Sequence, residues 1–344
     1  MSGRFILMPA LSITQPTQRP ARTRVQRRAV HGVLLLDKPL GLSSNQALQK
    51  AKWLLRAEKA GHTGTLDPLA SGVLSLCFRA PTKFSQQHLD ADKVYETTVR
   101  LGLKTRTADA EGEVIAQLAV QCTLGQVVEV LDQFTGSIRQ VPPMHSALKK
   151  DGKALYEYAR EGETVAREPR DVVIHDLALV HAQLDGDEPH LRLRVHCSKG
   201  TYIRTLAEDM ASAVGSLAHL VALRRTWVGE VPVVGCKTLV QLVGESTAMN
   251  PEPSTIADTS LMQAALLHPA DFLVQNLIRL DVTDKQAVLC RHGNPFQVDA
   301  GQTFTEGAQV RFYLQGRFIG VGQVVASGKD QKIQPVRLVS TENS

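Results

Sequence analysis

Apolar positions along this 344-residue chain follow three patterns, and each predicts a different element. Val33-Leu34-Leu35-Leu36 is an unbroken run that reads as a buried strand, and the mostly apolar residues 73–78 read as another strand. Leu191 to Cys197 alternates apolar with polar and reads as a half-buried strand. Residues 92–102 have strand composition with partial alternation. Helical spacing appears at Ala47, Leu48, Ala51, Leu54 and Leu55, behind a cap at Ser43 or Ser44. It returns between Leu124 and Phe134, with Val127, Val128, Leu131 and Phe134 inward. A short helix is expected over residues 153–160. Another should start near Thr201, carry Leu206, Met210 and Val214, and end at Gly215. Between Leu217 and Arg225, Leu220 and Leu223 also read as helically spaced core positions.

Strands and helices are mixed without a regular βαβ repeat, so the expected class is α+β rather than a doubly wound sheet. Residues 31–245 form the main domain in this reading. A Pro/Ser/Thr-rich stretch from Glu245 to Ser260 reads as a linker, with 246–275 as the connecting segment. Short strand-like runs separated by Gly then predict a small β-rich domain over 276–341. Residues 1–30 are rich in Arg, Pro, Gln and Thr, show no periodicity, and are expected to be a disordered basic tail.

Charge sharpens this division. The formal net charge is +5, but residues 1–36 hold six arginines and no acid, which leaves −1 for the remainder. Nucleic-acid binding by the body would therefore need local patches, such as the eleven Lys/Arg against seven Asp/Glu between Asp37 and Asp109. The same excess also fits ordinary solvated faces. The tail fits a transit peptide, an arm for RNA phosphates, or a segment without a specific role. The favoured reading is a tail on a bacterial-type cytoplasmic protein. Five scattered cysteines with no C-x-x-C pair argue against a disulfide framework and a structural zinc site, and suit a reducing compartment. No apolar run approaches the roughly 20 residues of a membrane span.

The candidate chemistry lies in Gly61-His62-Thr63-Gly64-Thr65-Leu66-Asp67-Pro68-Leu69-Ala70-Ser71-Gly72. Asp67 sits between two glycine-bearing turns, and Pro68 biases it toward an extended backbone. A carboxylate so held can be a nucleophile or a base; Asp-Pro can also simply start a turn. Arg204 falls in the first turn of a helix, where the dipole disfavours a cation unless an anion stands opposite, and Asp67 is the candidate anion. An ordinary surface arginine is the alternative. Tyr95 in a strand reads, from the residues alone, as a core or cross-strand packing residue.

This loop resembles the catalytic motif of the TruB-type tRNA pseudouridine-55 synthases, Gly-His-x-Gly-x-Leu-Asp-Pro-x-Ala-x-Gly, at every specified position. Further stretches resemble the family in the expected order: residues 32–39 (GVLLLDKP), residues 93–96 (KVYE) and residues 197–205 (CSKGTYIRT). The resemblance implies a mixed central sheet with flanking helices and a C-terminal PUA-like RNA-binding domain. It implies isomerisation of uridine 55 in the tRNA T-loop, without metal or redox cofactor; nothing in the sequence demands more than a monomer. Asp67 would be essential, Arg204 its partner, and Tyr95 a stacking and proton-moving group. His62 would fill the space left by the flipped nucleotide. Lys38 and Pro39 would support the loop, and Tyr202 and Leu223 would contact the substrate. Residues 142–171, where basic residues interleave with Tyr and His, resemble an RNA-clamping insertion; a surface hairpin carrying solvated charge fits the same residues.

Three other classes share parts of this pattern. A tRNA-folding chaperone with incidental catalysis would share the binding features. A glycoside or nucleoside hydrolase would be expected to show two carboxylates, and the motif offers one. A P-loop protein would need Gly-Lys-[Ser/Thr] after the glycines, which is missing.

Overall fold

A computed structural model describes residues 27–249, 266–298, 303–327 and 330–339. The first described elements are an isolated bridge between Arg28 and Ala57 and, at Val30, a fully buried residue of a core cluster. The rest of the expected tail, residues 1–26, lies outside the described residues.

The chain opens with β1 (Gly32–Lys38) and α1 (Ser44–Leu54). Ser43 caps α1 in a capping box with Gln46, so of the two candidate serines it is Ser43 that satisfies the free N–H groups. Next come β2 (Ala60–Thr63), β3 (Ala70–Phe78), a 3-10 turn at Ala80–Phe84 and α2 (Ser85–Asp90). Then follow β4 (Lys93–Leu101), a small hairpin of β5 (Leu103–Thr105) and β6 (Val114–Gln117), and α3 (Leu124–Gln133). In α3, Val127, Val130 and Leu131 are buried, whereas the expected core residue Val128 faces solvent. The inward stripe follows 127, 130, 131 and 134, the tighter fit to a 3.6-residue period.

Strand β7 (Gly136–Gln140) leads to a short hairpin, β8 (Lys149–Lys150) and β9 (Lys153–Ala154), and to α4 (Leu155–Arg160). Strands β10 (Arg170–Gln183) and β11 (His190–Cys197) follow, then α5 (Ile203–Ala213). The segment expected to continue as a helix is instead the strand β12 (Ala218–Val228). It pairs antiparallel with β4 along nearly its whole length and parallel with β3 at residues 223–225. Register shifts at Leu220/Ala222 and Arg225/Trp227 insert extra residues. These breaks in the two-residue alternation place Leu220 and Leu223 three apart, and that spacing imitates a helix.

Strands β13 (Val231–Pro232) and β14 (Lys237–Thr238) and helix α6 (Leu239–Met249) complete the main body. Its ten-stranded sheet runs β14-β1-β3-β12-β4-β11-β10-β7, with β2 on β3 and β13 on β12. The β1–β14 and β3–β12 pairs are parallel and the others antiparallel, so the sheet is mixed. Helices α1 and α6 bury apolar residues against β1 and β3. Helices α3 and α5 pack with β4, β10, β11 and β12. Helix α6 occupies the start of the expected linker, and residues 250–265 lie outside the described residues.

A second sheet contains β15 (Ile278–Asp281), β16 (Phe296–Gln297), β17 (Gln309–Leu314), β18 (Arg317–Ser327) and β19 (Asp330–Leu338), in the order β15-β17-β18-β19-β16. Helix α7 (Asp284–Arg291) contributes Ala287 and Cys290 to its core. This sheet docks on the main body through Phe84, Val274 and Val321, with the Phe84 and Phe318 rings 5.1 Å apart. Lys83 Nζ donates to Leu338 O at 3.0 Å across the same junction. No helix among the described residues is long and apolar enough to cross a membrane.

Candidate active site

The Asp67 loop joins β2 to β3, which pair antiparallel, so a tight reversal must fit beside the edge of β12. Gly72 makes this possible. Its φ is +106°, and a Cβ there would stand 2.1 Å from Arg225 O, so only glycine permits the parallel contact of β3 and β12. The loop is pinned on its other side by buried Ser44. Leu66 N–H donates to Ser44 Oγ at 2.7 Å, and Ser44 Oγ donates to Leu66 O at 3.0 Å. Gly41 N–H donates to Pro68 O at 2.9 Å, and Ala70 N–H to Asp67 O at 3.0 Å. Asp67 is thus held by backbone contacts on both sides in sequence.

Asp67 opens onto a cleft of about 350 Å³. Tyr95, Leu223, Tyr202, Arg204, Lys93 and Arg225 contribute to its walls. Arg204 Nη2 lies 2.9 Å from Asp67 Oδ2. The guanidinium is 6% exposed, whereas Asp67 is 37% exposed, so the pair presents its carboxylate and hides its cation. Arg204 also donates to Thr107 O at 2.9 Å and His145 O at 2.7 Å. Its Nη1 is 3.5 Å from Asp109 Oδ2, a buried carboxylate that accepts from Thr107 Oγ1 and from Glu111 N–H. Two carboxylates offset the unfavourable placement of Arg204 in the first turn of α5. That helix starts at Tyr202 without a capping side chain of its own; Gln140 of β7 accepts from Tyr202 N–H at 3.0 Å instead.

Burial pushes the Asp67 carboxyl above its ordinary value; Arg204 opposes the rise, nearby Asp109 adds to it, and Lys38 opposes it. Burial also raises the Tyr95 phenol, with Arg225 opposing. Lys38 is fully buried and donates to Pro39 O at 2.9 Å and Leu42 O at 2.5 Å. Burial lowers its ammonium to about 8, although Asp67 draws it back. Lys93 is likewise lowered to about 8 by burial and by Arg225, and donates to Leu89 O at 2.7 Å.

The structure therefore gathers Asp67, Tyr95, Arg204, Tyr202 and Leu223 around one cleft. Lys38 and exposed Pro39 stand behind it, on the turn that binds the Asp67 loop. His62 lies on β2, half-buried, and is not part of the cleft lining. Among the described residues its Nδ1 is buried without a hydrogen-bond partner, and burial lowers its pKa. Residues 146–148 of the expected insertion reach the cleft, and Arg167 Nη1 donates to Pro142 O at 3.1 Å across the base of that segment.

Sequence reasoning missed Asp109, Arg225, Ser44 and Gln140. Arg225 is 1% exposed and donates to Val73 O at 2.9 and 2.7 Å and to Gly64 O at 3.0 Å. Its charge opposes the rise of the Tyr95 phenol. Arg225 ties the floor of the cleft to the Asp67 loop. The one signal in the chain is that Arg225 follows Leu223 by two residues on a strand, and that strand had read as a helix.

The protein in a crystal structure of a Cbf5-Nop10-Gar1 complex has the same fold, with a TM-score of 0.65 at 24% identity, covering 90% of this chain and 85% of that one. Residues 52–203 match the family model of the TruB pseudouridylate synthase N-terminal domain, and residues 279–339 the pseudouridine synthase II TruB C-terminal model. A protein of Ralstonia nicotianae called tRNA pseudouridine synthase B is 50% identical over 324 residues, 94% of this chain and 98% of that protein. One of the same name from Burkholderia lata is 51% identical over 332 residues, 95% of each chain. The chain belongs to the TruB family of pseudouridylate synthases, and it is an enzyme.

Proposed function

We propose that this enzyme isomerises uridine 55 in the T-loop of tRNA to pseudouridine, and that Asp67 carries the chemistry. The observation that supports this most directly is the Asp67–Arg204 pair at 2.9 Å at the mouth of a cleft that also holds Tyr95 and Leu223. The relatives named for tRNA support the substrate class.

The reaction breaks the N1–C1′ bond and forms a C5–C1′ bond to the same ribose. N1 gains a proton and C5 loses one, so atoms and electrons balance without a redox partner. The target base must first leave the stack to reach the cleft. Tyr95 and Leu223 then hold the free uracil between an aromatic ring and an aliphatic side chain. Asp67 acts ionised, either by attack at C1′ or by removing the C2′ proton to give a glycal-type intermediate. Arg204 keeps it charged and fixes its direction. Tyr95 is placed to relay the proton lost from C5. His62 occupies the space that the flipped nucleotide leaves, its ring stacking within the T-loop.

In this reading the enzyme works as a cytoplasmic monomer on the T-arm. Residues 142–171 clamp the RNA, and the C-terminal β domain (276–341) adds PUA-like contacts. The free cysteines among the described residues suit a reducing compartment. The test is a modification map. Purified protein is incubated with unmodified tRNA transcript, and pseudouridine is located by chemical labelling and primer extension. One new stop at uridine 55 is expected. Tight tRNA binding without product would favour the chaperone reading instead.

A further inference from the structure

The sheet face opposite the cleft carries a second cluster of chemistry-bearing side chains. On β4, Lys93 and Tyr95 line the cleft, whereas Val94 and Glu96 line a separate hollow of about 560 Å³. Alternation puts these two sets on opposite faces. Asp92 and His196 both open onto that second hollow.

His175 reaches the same place through a backbone irregularity. Along the β10–β11 pair, Ile174 faces Cys197 and Asp176 faces His196, so His175 is the extra residue of a bulge. A bulge re-aims a side chain out of the regular alternation. Here it sets the His175 ring 4.8 Å from the His196 ring and its Nε2 3.2 Å from Asp92 Oδ2. Asp92 is fixed from the other side, since its backbone O accepts from Gly229 N–H at 2.8 Å.

One donor atom from each of Asp92, His175 and His196 lies within 4.8 Å of the others. Ligand bonds of about 2.0–2.2 Å in a tetrahedral array set donors roughly 3.3–3.6 Å apart. The Asp92–His175 edge, at 3.2 Å, is close to that length, and the His175 ring is exposed. Nearby cations have other partners: Arg194 lies 3.7 Å from Asp176 and Lys199 lies 2.9 Å from Asp90. These ion pairs leave the Asp92 carboxylate facing His175.

We propose that Asp92, His175 and His196 bind one divalent transition-metal ion of the zinc class. Two imidazoles and one carboxylate select zinc, nickel or copper over magnesium and calcium, which prefer all-oxygen shells. The ion would tie together β10, β11 and the turn before β4, with its remaining coordination position open to the hollow.

The test is a titration of the full-length, untagged protein with Zn²⁺ against a chromophoric chelator. His175→Asn, His196→Gln, Asp92→Asn and Cys236→Ser are compared in parallel, and Mg²⁺ serves as control. The expected result is one equivalent of Zn²⁺, weakened roughly tenfold or more by each histidine variant and retained in Cys236→Ser. The three residues lie outside the cleft, so pseudouridine formation by the same variants should stay near wild type and show that they fold. The absence of a saturable equivalent, equal binding by the histidine variants, or loss of binding in Cys236→Ser would each overturn the site.

Discussion

Arg204 Nη2 stands 2.9 Å from Asp67 Oδ2 while its Nη1 stands 3.5 Å from Asp109 Oδ2, so one guanidinium bridges an open carboxylate and a buried one. Two backbone carbonyls, of Thr107 and His145, fill its other donor directions. A lysine keeps the charge but cannot span four acceptors arranged for a planar fork. Arg204→Lys should therefore lower the single-turnover rate of pseudouridine formation by at least a hundredfold, about 2.7 kcal/mol. A rate within tenfold of wild type would mean that charge alone suffices.

Ser44 is 1% exposed, and its hydroxyl exchanges two hydrogen bonds with Leu66. Ser44→Ala strands a buried N–H and C=O beside Asp67, at a cost of about 1–3 kcal/mol. Urea unfolding should register that loss. The rate should fall with little change in tRNA affinity, since Ser44 lies behind the loop. Unchanged stability would show that the loop is held elsewhere.

Gly72 and Gly152 both have positive φ, +106° and +84°. They differ in space: a Cβ at Gly72 would meet Arg225 O at 2.1 Å, and one at Gly152 meets nothing within 4 Å. Gly152→Ala should cost about 1–2 kcal/mol from backbone conformation alone. Gly72→Ala should cost about 4 kcal/mol or more, because β3 and β12 must part. Similar midpoints in denaturant for both variants would contradict this.

Because burial raises the Asp67 carboxyl, the acid limb of the rate should lie above the ordinary carboxylate value of about 3.9. Activity should rise with pH through that limb, since the proposed chemistry uses ionised Asp67. Stability runs the other way. A carboxyl raised on folding contributes stability fully below its unfolded value, and loses it as pH rises through the folded one. Asp67→Asn should therefore flatten this part of the stability profile between those two values. An acid limb at or below about 3.9 would contradict the stated environment of Asp67.

Much of the fold and half of the site could be read along the chain, for a physical reason. The Asp67 loop is contiguous, and its glycines and proline are backbone requirements that sequence displays directly. Arg204 was legible because an isolated cation in a first helical turn asks for an anion. Asp109, Arg225, Ser44 and Gln140 were not, because their partners lie far along the chain and only the sheet brings them together. Strand β12 was misread because two bulges break its alternation. The bulge that turns His175 toward His196 left no mark in the sequence for the same reason.

The most direct measurement compares Asp67→Asn with wild type at saturating tRNA transcript, reading pseudouridine at uridine 55 in a single turnover and tRNA affinity on the same preparation. The expected result is no product, with affinity within about tenfold, or 1.4 kcal/mol, of wild type. Product formed by Asp67→Asn would contradict the central claim and return Asp67 to the role of a turn residue.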